Sequence, residues 1–183
     1  MGKVAIFLAE GFEEIEALTV VDLLRRKGIE IQMVSVTGEY FVTSSHQITV
    51  KADALFDEMN YADVDMLVLP GGMPGTLNLE KHIPLMNLLE KFYYSNKKIA
   101  AICAAPSILG HKGILKEKRA CCYPGFEQDL AGANVTNNEV EVDGNVITSR
   151  GMGCAIPFGL AIVESFLGQE VSNALKDAII YQG

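Results

Sequence analysis

One cysteine stands where a reactive thiol is expected, directly after a buried strand. Ile99–Ile102 is a short apolar run that predicts a strand buried on both faces, and Cys103 follows it at once. Pro106 then favours the first turn of a helix, because the first N–H groups of a helix have no intrahelical partner in any case. The order resembles the nucleophile elbow of serine hydrolases. Since a helix N-terminus favours negative charge, we expect the Cys103 thiol to have a pKa below its ordinary value of about 8.5.

The same cysteine has a second interpretation. Most cysteines outside disulfides are small buried hydrophobic residues, and the order of residues around Cys103 does not by itself exclude that role. The other cysteines have simpler expectations. Cys121 and Cys122 are adjacent on a predicted strand, so we expect only one of them to face the core, as a filler rather than a metal chelate or vicinal disulfide. Cys154 is expected to pack at a helix start, although it follows a loop near the predicted site.

Strands and helices alternate along the chain and position these residues. The predicted strands are Lys3–Leu8, Ile29–Val36, Tyr40–Thr43, Gln47–Val50, Asp65–Leu69, Ile99–Ile102, Arg119–Cys122, Glu139–Val142 and Asn145–Thr148. The predicted helices are Phe12–Lys27, Ile83–Ser95, Ala155–Leu167 and Ser172–Tyr181, with a further helix starting near Pro106. This alternation predicts one α/β domain over residues 1–183, with a mostly parallel sheet covered on both faces.

Four loops are predicted to meet at one edge of that sheet. They are Ala9–Phe12, Pro70–Gly75, Cys103–Ala105 and Ser149–Gly153. Ligands of open parallel sheets bind beyond the carboxyl ends of the strands, so we expect the functional site here. The glycines of Pro70–Gly75 let backbone N–H groups face a ligand, but no phosphate-binding motif follows them.

Composition and charge exclude several classes of function. The formal net charge of −8 argues against nucleic acid as the main partner, because phosphate binding needs clustered lysine and arginine. No apolar run approaches the roughly 20 residues of a membrane span. Met1-Gly2-Lys3 leads directly into strand residues, so we expect no signal peptide and a cytoplasmic protein with reduced thiols. His46, His82 and His111 have no carboxylate or cysteine at metal-ligand spacing, so we predict no metal and no cofactor. We expect His82 and His111 to be solvated surface residues.

Four segments, in this order, resemble the DJ-1/ThiJ/PfpI superfamily. They are Leu-Ala-Glu-Gly-Phe-Glu-Glu-Ile-Glu-Ala (8–17), Leu-Pro-Gly-Gly (69–72), Ala-Ala-Ile-Cys-Ala-Ala-Pro (100–106) and Thr-Ser-Arg-Gly-Met-Gly (148–153). The resemblance covers nearly the whole chain and is to the branch that holds the parkinsonism-associated protein and bacterial ThiJ-like proteins. It implies a flavodoxin-like three-layer α/β sandwich, related to class I glutamine amidotransferases, that forms a homodimer and carries an oxidation-sensitive cysteine.

The resemblance also assigns roles to individual residues. It implies that Cys103 is the nucleophile, that Glu16 hydrogen-bonds its sulfur, and that the backbone N–H groups of Gly72 and Ala104 form an oxyanion-hole-like pocket. A buried carboxyl has a raised pKa and can stay protonated, so Glu16 could donate a hydrogen bond to a thiolate. The alternative is that Glu16 is one more acid at a helix start, which is our interpretation of the neighbouring Glu13 and Glu14.

The rim of the site is where the sequence departs from its relatives. The resemblance places Ser149 and Arg150 at the rim, together with Tyr123, which stands where animal proteins of the superfamily carry a histidine. An imidazole base is therefore absent there, and a phenol is a poor base near neutral pH. Ala104 replaces the histidine that follows the cysteine in the protease-like branch, and the last third of the chain contains no histidine. Protease and amidotransferase activities are therefore disfavoured.

The resemblance implies a cysteine-dependent enzyme that acts on reactive carbonyls. The expected substrates are methylglyoxal or glyoxal, converted to hydroxy acids without glutathione, and early glycation adducts. The alternative is a redox-sensing or chaperone protein that uses oxidation of Cys103. The superfamily's two-fold interface would include the edge of the first βαβ unit, with Arg26 and His46.

Overall fold

The computed structural model describes residues 2–183 as one alternating series of strands and helices. The strands are β1 (Lys3–Leu8), β2 (Glu30–Ser35), β3 (Phe41–Thr43), β4 (Thr49–Lys51), β5 (Ala54–Leu55), β6 (Met66–Leu69), β7 (Lys98–Ile102), β8 (Arg119–Ala120), β9 (Asn134–Val135), β10 (Val140–Asp143) and β11 (Val146–Ser149). The helices are α1 (Glu14–Arg26), α2 (Gly75–Lys81), α3 (Ile83–Tyr94), α4 (Pro106–His111), α5 (Ala155–Leu167) and α6 (Gln169–Ala178).

Seven strands form the central sheet, in the order β10-β11-β7-β6-β1-β2-β5. Every neighbouring pair is parallel except β10 and β11, which form an antiparallel hairpin across Asp143 and Val146. The prediction of an α/β fold with a mostly parallel sheet is therefore confirmed. The two-residue turn between β10 and β11 has Gly144 at a φ of 61°, a conformation that glycine adopts without strain.

The sheet separates two hydrophobic cores, one on each face. Along β1, Ile6 and Leu8 belong to one core and Ala5 and Phe7 to the other, because successive strand residues point to opposite faces. Residues of α1, α5 and α6 pack in the first core, and residues of α3 and α4 pack in the second. All six β1 residues except Lys3 are buried, which explains why the strand is a continuous apolar run in the sequence.

Helix α1 begins two residues later than the sequence predicts. Its N-cap is Glu13, whose Oε2 accepts a hydrogen bond from the N–H of Glu16 at 2.6 Å. Phe12, the predicted first residue, instead has a fully buried side chain in the loop that precedes the helix. The helix ends at Arg26, before Gly28 at a φ of 69°.

Helix α2 is absent from the sequence-based prediction. The segment that precedes it is rich in glycine and proline, which predicts a loop, yet the helix starts within that segment at Gly75. The N–H of Gly75 donates to the carbonyl of Gly11 at 3.1 Å, and a Cβ at Gly75 would lie 2.6 Å from the Phe12 backbone. The last helix also differs, since it begins at Gln169 rather than Ser172 and ends at Ala178.

The adjacent cysteines and two of the histidines lie in surroundings that the sequence shows only in part. Cys121 and Cys122 are both buried, because Cys121 lies against Thr148 while Cys122 packs into the core that contains α3 and α4. His82 is not simply solvated, since its Nδ1 accepts a hydrogen bond from the N–H of Leu85 and caps α3. His111 is exposed but lies between two carboxylates, as described below. Within residues 2–183, no helix combines the length and the apolar composition that crossing a bilayer requires.

Candidate functional site

The predicted loops do converge at the carboxyl edge of the sheet. The N–H of Glu13 donates to the carbonyl of Gly71 at 2.9 Å, joining the loop after β1 to the loop after β6. The N–H of Cys103 donates to the carbonyl of Ser149 at 3.0 Å, joining the end of β7 to the end of β11. These hydrogen bonds assemble segments that are far apart in the chain, as the parallel topology requires.

Cys103 lies on a sharp turn between β7 and α4. Its φ is 67°, in the left-handed region that a non-glycine residue adopts only at an energetic cost. The surrounding structure holds this conformation from both sides, because the Cys103 N–H is bonded to Ser149 and its carbonyl accepts the N–H of Tyr123 at 2.7 Å. The backbone therefore presents the sulfur in one orientation, as the comparison with a nucleophile elbow predicts.

Glu16 reaches the sulfur from α1. The residue is only 1% exposed, and its carboxyl group lies beside Cys103, since a Cβ at Gly71 would be 2.7 Å from Glu16 Oε2 and 3.1 Å from Cys103 Sγ. Oε2 also accepts the N–H of Gly71 at 2.9 Å, whereas Oε1 has no geometrically good partner among residues 2–183. The carboxyl group thus lies between one fixed donor and a titratable sulfur, out of contact with bulk water. The structure brings together the two residues that the sequence analysis placed at the centre of the site.

Burial raises the pKa of the Glu16 carboxyl to about 7, against the opposing hydrogen bond from Cys103. Burial also raises the pKa of the Cys103 thiol to about 12, with the charge of Glu16 as the next cause. The N–H groups of Ala104 and Gly72 act on the sulfur in the opposite direction but do not overcome these effects. The prediction of a lowered thiol pKa is therefore wrong while Glu16 is ionised. The reason is that the sulfur is partly buried beside a carboxylate, and α4 begins only at Pro106.

The two pKa values make Cys103 and Glu16 a pair that shares one proton over the neutral range. Between a pH of about 7 and a pH of about 12, the pair has lost one proton and kept the other. These values place the remaining proton mainly on the sulfur. Its transfer to Glu16 gives a thiolate, which the protonated carboxyl group and the N–H groups of Gly72 and Ala104 would stabilise. Such an arrangement makes a nucleophile without a histidine.

Two adjacent glycines make this close contact sterically feasible. A Cβ at Gly71 would lie 2.5 Å from the Cys103 Cβ and 2.7 Å from Glu16 Oε2, so any side chain there would separate the pair. Gly72 has a φ of 92°, and its Cβ would lie 2.4 Å from the N atom of Glu13. The sequence analysis assigned a role to Gly72 but missed that of Gly71. The adjacent glycines after β6 were the available signal, although they are equally typical of an ordinary turn.

The rim residues have different surroundings from one another. Ser149 is fully buried, and its hydroxyl donates to the carbonyl of Glu139 at 2.7 Å, so it positions the end of β11 rather than lining an open rim. Tyr123 is half exposed and contacts Cys103 through its backbone N–H. Beside it is a cavity of about 480 Å³, lined by Tyr123, Pro124, Glu139, Arg150, Gly151, Met152, Gly153 and Cys154. Arg150 and Tyr123 therefore border a cavity next to the turn that carries Cys103.

Limited alkylation tests which thiol is most reactive. We expect iodoacetamide at pH 8 to modify Cys103 first, because the neighbouring carboxylate can take up its proton and two N–H groups stabilise the thiolate. Cys121 and Cys122 are buried, whereas Cys103 is partly exposed, so the reagent reaches the Cys103 sulfur more easily. Peptide mass spectrometry after partial labelling gives the order. Faster modification of Cys154, which is also partly exposed, would contradict the prediction.

The fold and the cysteine turn define a flavodoxin-like α/β protein of the class I glutamine amidotransferase-like kind. The chain belongs to the DJ-1/PfpI family, which it matches over residues 2–165. It is 38% identical over 180 residues to DJ-1 homolog B of Arabidopsis thaliana, covering 97% of this chain and 41% of that protein. It covers 46% of DJ-1 homolog A of the same plant, so the chain spans less than half the length of these two relatives.

A deglycase from Pyrococcus abyssi is 34% identical over 151 residues, which cover 81% of this chain and 89% of that protein. Among solved structures, a DJ-1 superfamily protein from Salmonella typhimurium, with a cysteine-to-alanine substitution, has a TM-score of 0.95 at 31% identity. The oxidized DJ-1 of Toxoplasma gondii has a TM-score of 0.95 at 32% identity. Both comparisons cover 100% of each chain, so the family fold extends over the whole of this one.

Proposed function

We propose that the chain is a cysteine-dependent enzyme that acts on small reactive carbonyls or on glycated groups, as a glutathione-independent glyoxalase or deglycase. The observation that carries the proposal is the buried Glu16 carboxyl beside Cys103, with the N–H groups of Gly72 and Ala104 close enough to the same sulfur to oppose the rise in its pKa. A nucleophile, a proton carrier and oxyanion donors are the groups that carbonyl addition requires. The deglycase from Pyrococcus abyssi supports the same class of chemistry at the level of the family.

Addition is the first step of the proposed reaction. The Cys103 thiolate attacks the aldehyde carbon of methylglyoxal, forming a C–S bond while the carbonyl π electrons move to oxygen. The N–H groups of Gly72 and Ala104 stabilise the resulting oxyanion, which the protonated Glu16 then neutralises to give a hemithioacetal. Glu16 is left as a carboxylate in a buried setting that raises its pKa to about 7, so it is a competent base near neutral pH.

Proton transfer and hydrolysis complete the cycle. Glu16 removes the proton from the former aldehyde carbon, and reprotonation at the adjacent carbon gives a lactate thioester of Cys103. Water then cleaves the C–S bond, releasing lactate and returning the thiol. The sum is methylglyoxal plus water giving lactate, so one carbon is oxidised as its neighbour is reduced and no external redox partner is needed. Arg150 and Tyr123 border the cavity through which the substrate would enter.

Lactate formation from methylglyoxal tests this proposal. We expect steady turnover by the wild-type chain and none above background by Cys103→Ser. A serine hydroxyl is far less acidic than a thiol, so it does not supply a nucleophilic anion near neutral pH. Cys154→Ser is the matched control, because Cys154 is the other partly exposed thiol. It should retain turnover. Absence of lactate with the wild-type chain would overturn the enzymatic proposal.

A redox role is the second candidate, supported by the oxidized DJ-1 of Toxoplasma gondii. Peroxide would convert the Cys103 thiolate to a sulfenate and then a sulfinate, with one water released at each oxidation. A protonated Glu16 and the N–H groups of Gly72 and Ala104 would then donate hydrogen bonds to the sulfinate oxygens. Cys103-dependent protection from oxidation without carbonyl turnover favours this candidate over the enzyme.

We also propose that the chain forms a homodimer through the edge of the first βαβ unit. The exposed side of α1 carries Ile15, which is 47% exposed, and ends in Arg26, and a cleft of about 380 Å³ runs between α1 and Ile156 and Ile179. An exposed apolar stripe of this kind suits a self-complementary two-fold contact. Light scattering at micromolar concentration should give the mass of a dimer, and a monomer mass would count against the interface.

A further inference from the structure

Two carboxylates and an imidazole meet at the start of α1, on the outer side of the Cys103 site. Glu13 and Glu14 come from the helix start, and His46 comes from the turn between β3 and β4. One ligand atom from each residue lies within 4.8 Å of the other two. His46 Nδ1 is 2.9 Å from Glu14 Oε1, so the ring nitrogen already faces the carboxylate. The mechanism proposed above uses none of these three side chains as a reacting group.

Glu14 has a feature that an ordinary helix-start acid lacks. The residue is only 5% exposed, although acidic residues at helix starts usually extend into water. While Oε1 faces His46, Oε2 is buried without a hydrogen-bond partner among residues 2–183. A buried carboxylate oxygen without a partner is costly, and a bound cation would remove that cost.

Backbone hydrogen bonds to Ser44 help to hold the loop that carries His46. The Ser44 hydroxyl accepts the N–H of His46 at 3.3 Å and the N–H of Ile48 at 3.1 Å. On the other side, the Glu13 carboxylate accepts the N–H of Glu16. A carboxylate has two oxygens and several lone pairs, so Glu13 can keep this hydrogen bond and still bind a cation. The ligand atoms are therefore brought together by a folded framework.

We propose that Glu13, Glu14 and His46 form a binding site for a divalent first-row transition-metal cation, with Zn²⁺ as the probe. One imidazole and two carboxylates are a ligand set that such cations accept, and three protein ligands leave a coordination position for water. Binding would replace the hydrogen bond between His46 Nδ1 and Glu14 Oε1 by two bonds to the metal, with the imidazole neutral and its proton on Nε2. The proposal is independent of the carbonyl chemistry at Cys103.

The chain contains a natural contrast at His111. This histidine also lies between two carboxylates, with Nδ1 2.6 Å from Glu80 Oε1 and Nε2 3.6 Å from Asp129 Oδ1. Because the carboxylates face opposite nitrogens of the ring, they cannot converge on one cation. The group around His111 therefore also combines one histidine with two carboxylates, but its geometry does not suit a single cation.

Calorimetric titration with ZnCl₂ at pH 7 tests the site. The titrations use the chain with Cys103→Ser, which removes the thiol that we expect to be the most reactive competing ligand. We expect one Zn²⁺ per chain, an affinity weakened more than about tenfold by His46→Gln or Glu14→Gln, and no change with His111→Gln. The His46 side chain is 68% exposed in the single chain but lies at the edge proposed for the dimer, so light scattering checks that His46→Gln keeps the oligomeric state. Melting curves without metal check the fold of Glu14→Gln.

Substitution of Co²⁺ identifies the ligands directly. At the proposed site the Co²⁺ spectrum should show nitrogen and oxygen ligation without sulfur-to-cobalt charge transfer. Retained Zn²⁺ affinity in His46→Gln, equal loss in His111→Gln, or a thiolate band would each overturn the proposal. Failure of Cys103-dependent lactate formation would leave this test unaffected, so the two proposals fail separately.

Discussion

Glu16→Gln is expected to lower the rate of lactate formation by roughly 100- to 10,000-fold, the range associated with loss of a general acid–base group. Glutamine has the shape of glutamate, and its amide oxygen can accept the N–H of Gly71 that now bonds Glu16 Oε2. It cannot exchange a proton with Cys103 or with substrate. The loss should therefore appear in kcat with the fold preserved, and steady-state rates of the purified variant measure it.

The pH profile provides a second readout of the same prediction. Below a pH of about 7, Glu16 is protonated and Cys103 is still a thiol, so the pair contains no thiolate. The value of kcat/KM for the wild-type chain should therefore rise as the pH passes about 7. This rise should be absent from the residual activity of Glu16→Gln. Unimpaired turnover in that variant would contradict the assignment of Glu16 as the proton carrier.

Tyr123 supplies the matched control for the proton carrier. If Glu16 alone moves the proton, Tyr123→Phe should be nearly neutral, since Tyr123 contacts Cys103 through a backbone N–H that phenylalanine retains. If the reaction instead depends on a base at the rim, the wild-type chain should be slow and Tyr123→His should be faster, because imidazole accepts protons near neutral pH. We expect the first result.

Local signals predicted much of the fold. The bounds of β1 (Lys3–Leu8) and α5 (Ala155–Leu167) agree with the sequence analysis to the residue, because each is an apolar run that ends in a glycine or a turn. The alternation of strands and helices was enough to predict the mostly parallel sheet. The parallel sheet in turn implied that the loops meet at its carboxyl edge. Helix α2 was missed because its start carries loop-forming residues.

The electrostatics of the site depend on contacts that no local pattern shows. The hydrogen bond from Gly71 to Glu16 joins residues 55 positions apart. Burial of the Cys103 thiol, followed by the charge of the neighbouring Glu16, reverses the expected direction of the thiol's pKa. The pairing of His46 with Glu14 likewise joins a loop to the start of α1, so spacing along the chain did not indicate it. Sequence thus predicted which residues gather at the sheet edge better than it predicted their charges.

Glu16→Gln is also expected to change how the stability of the protein depends on pH. The folded-state pKa of Glu16 is raised from 4.5 to about 7, mainly by burial. Below about 4.5 the carboxyl is protonated in both states and has no effect on the free energy of unfolding. As the pH rises from 4.5 to 7, the unfolded chain ionises while the folded chain keeps its proton, so the wild-type protein loses stability. The full loss is about 3 kcal/mol and persists above pH 7.

Glutamine does not titrate, so Glu16→Gln should escape this loss. Relative to the wild-type chain, the variant should gain up to about 3 kcal/mol in free energy of unfolding between pH 4.5 and pH 8. Urea denaturation at a fixed protein concentration and a series of pH values measures the difference. Glu39→Gln is the control, because Glu39 is exposed and its substitution should leave the wild-type pH dependence unchanged. If the free energy of unfolding changed with pH in the same way for Glu16→Gln and for the wild-type chain, the prediction would be wrong. The Glu16 carboxyl would then ionise as readily in the folded protein as in the unfolded chain.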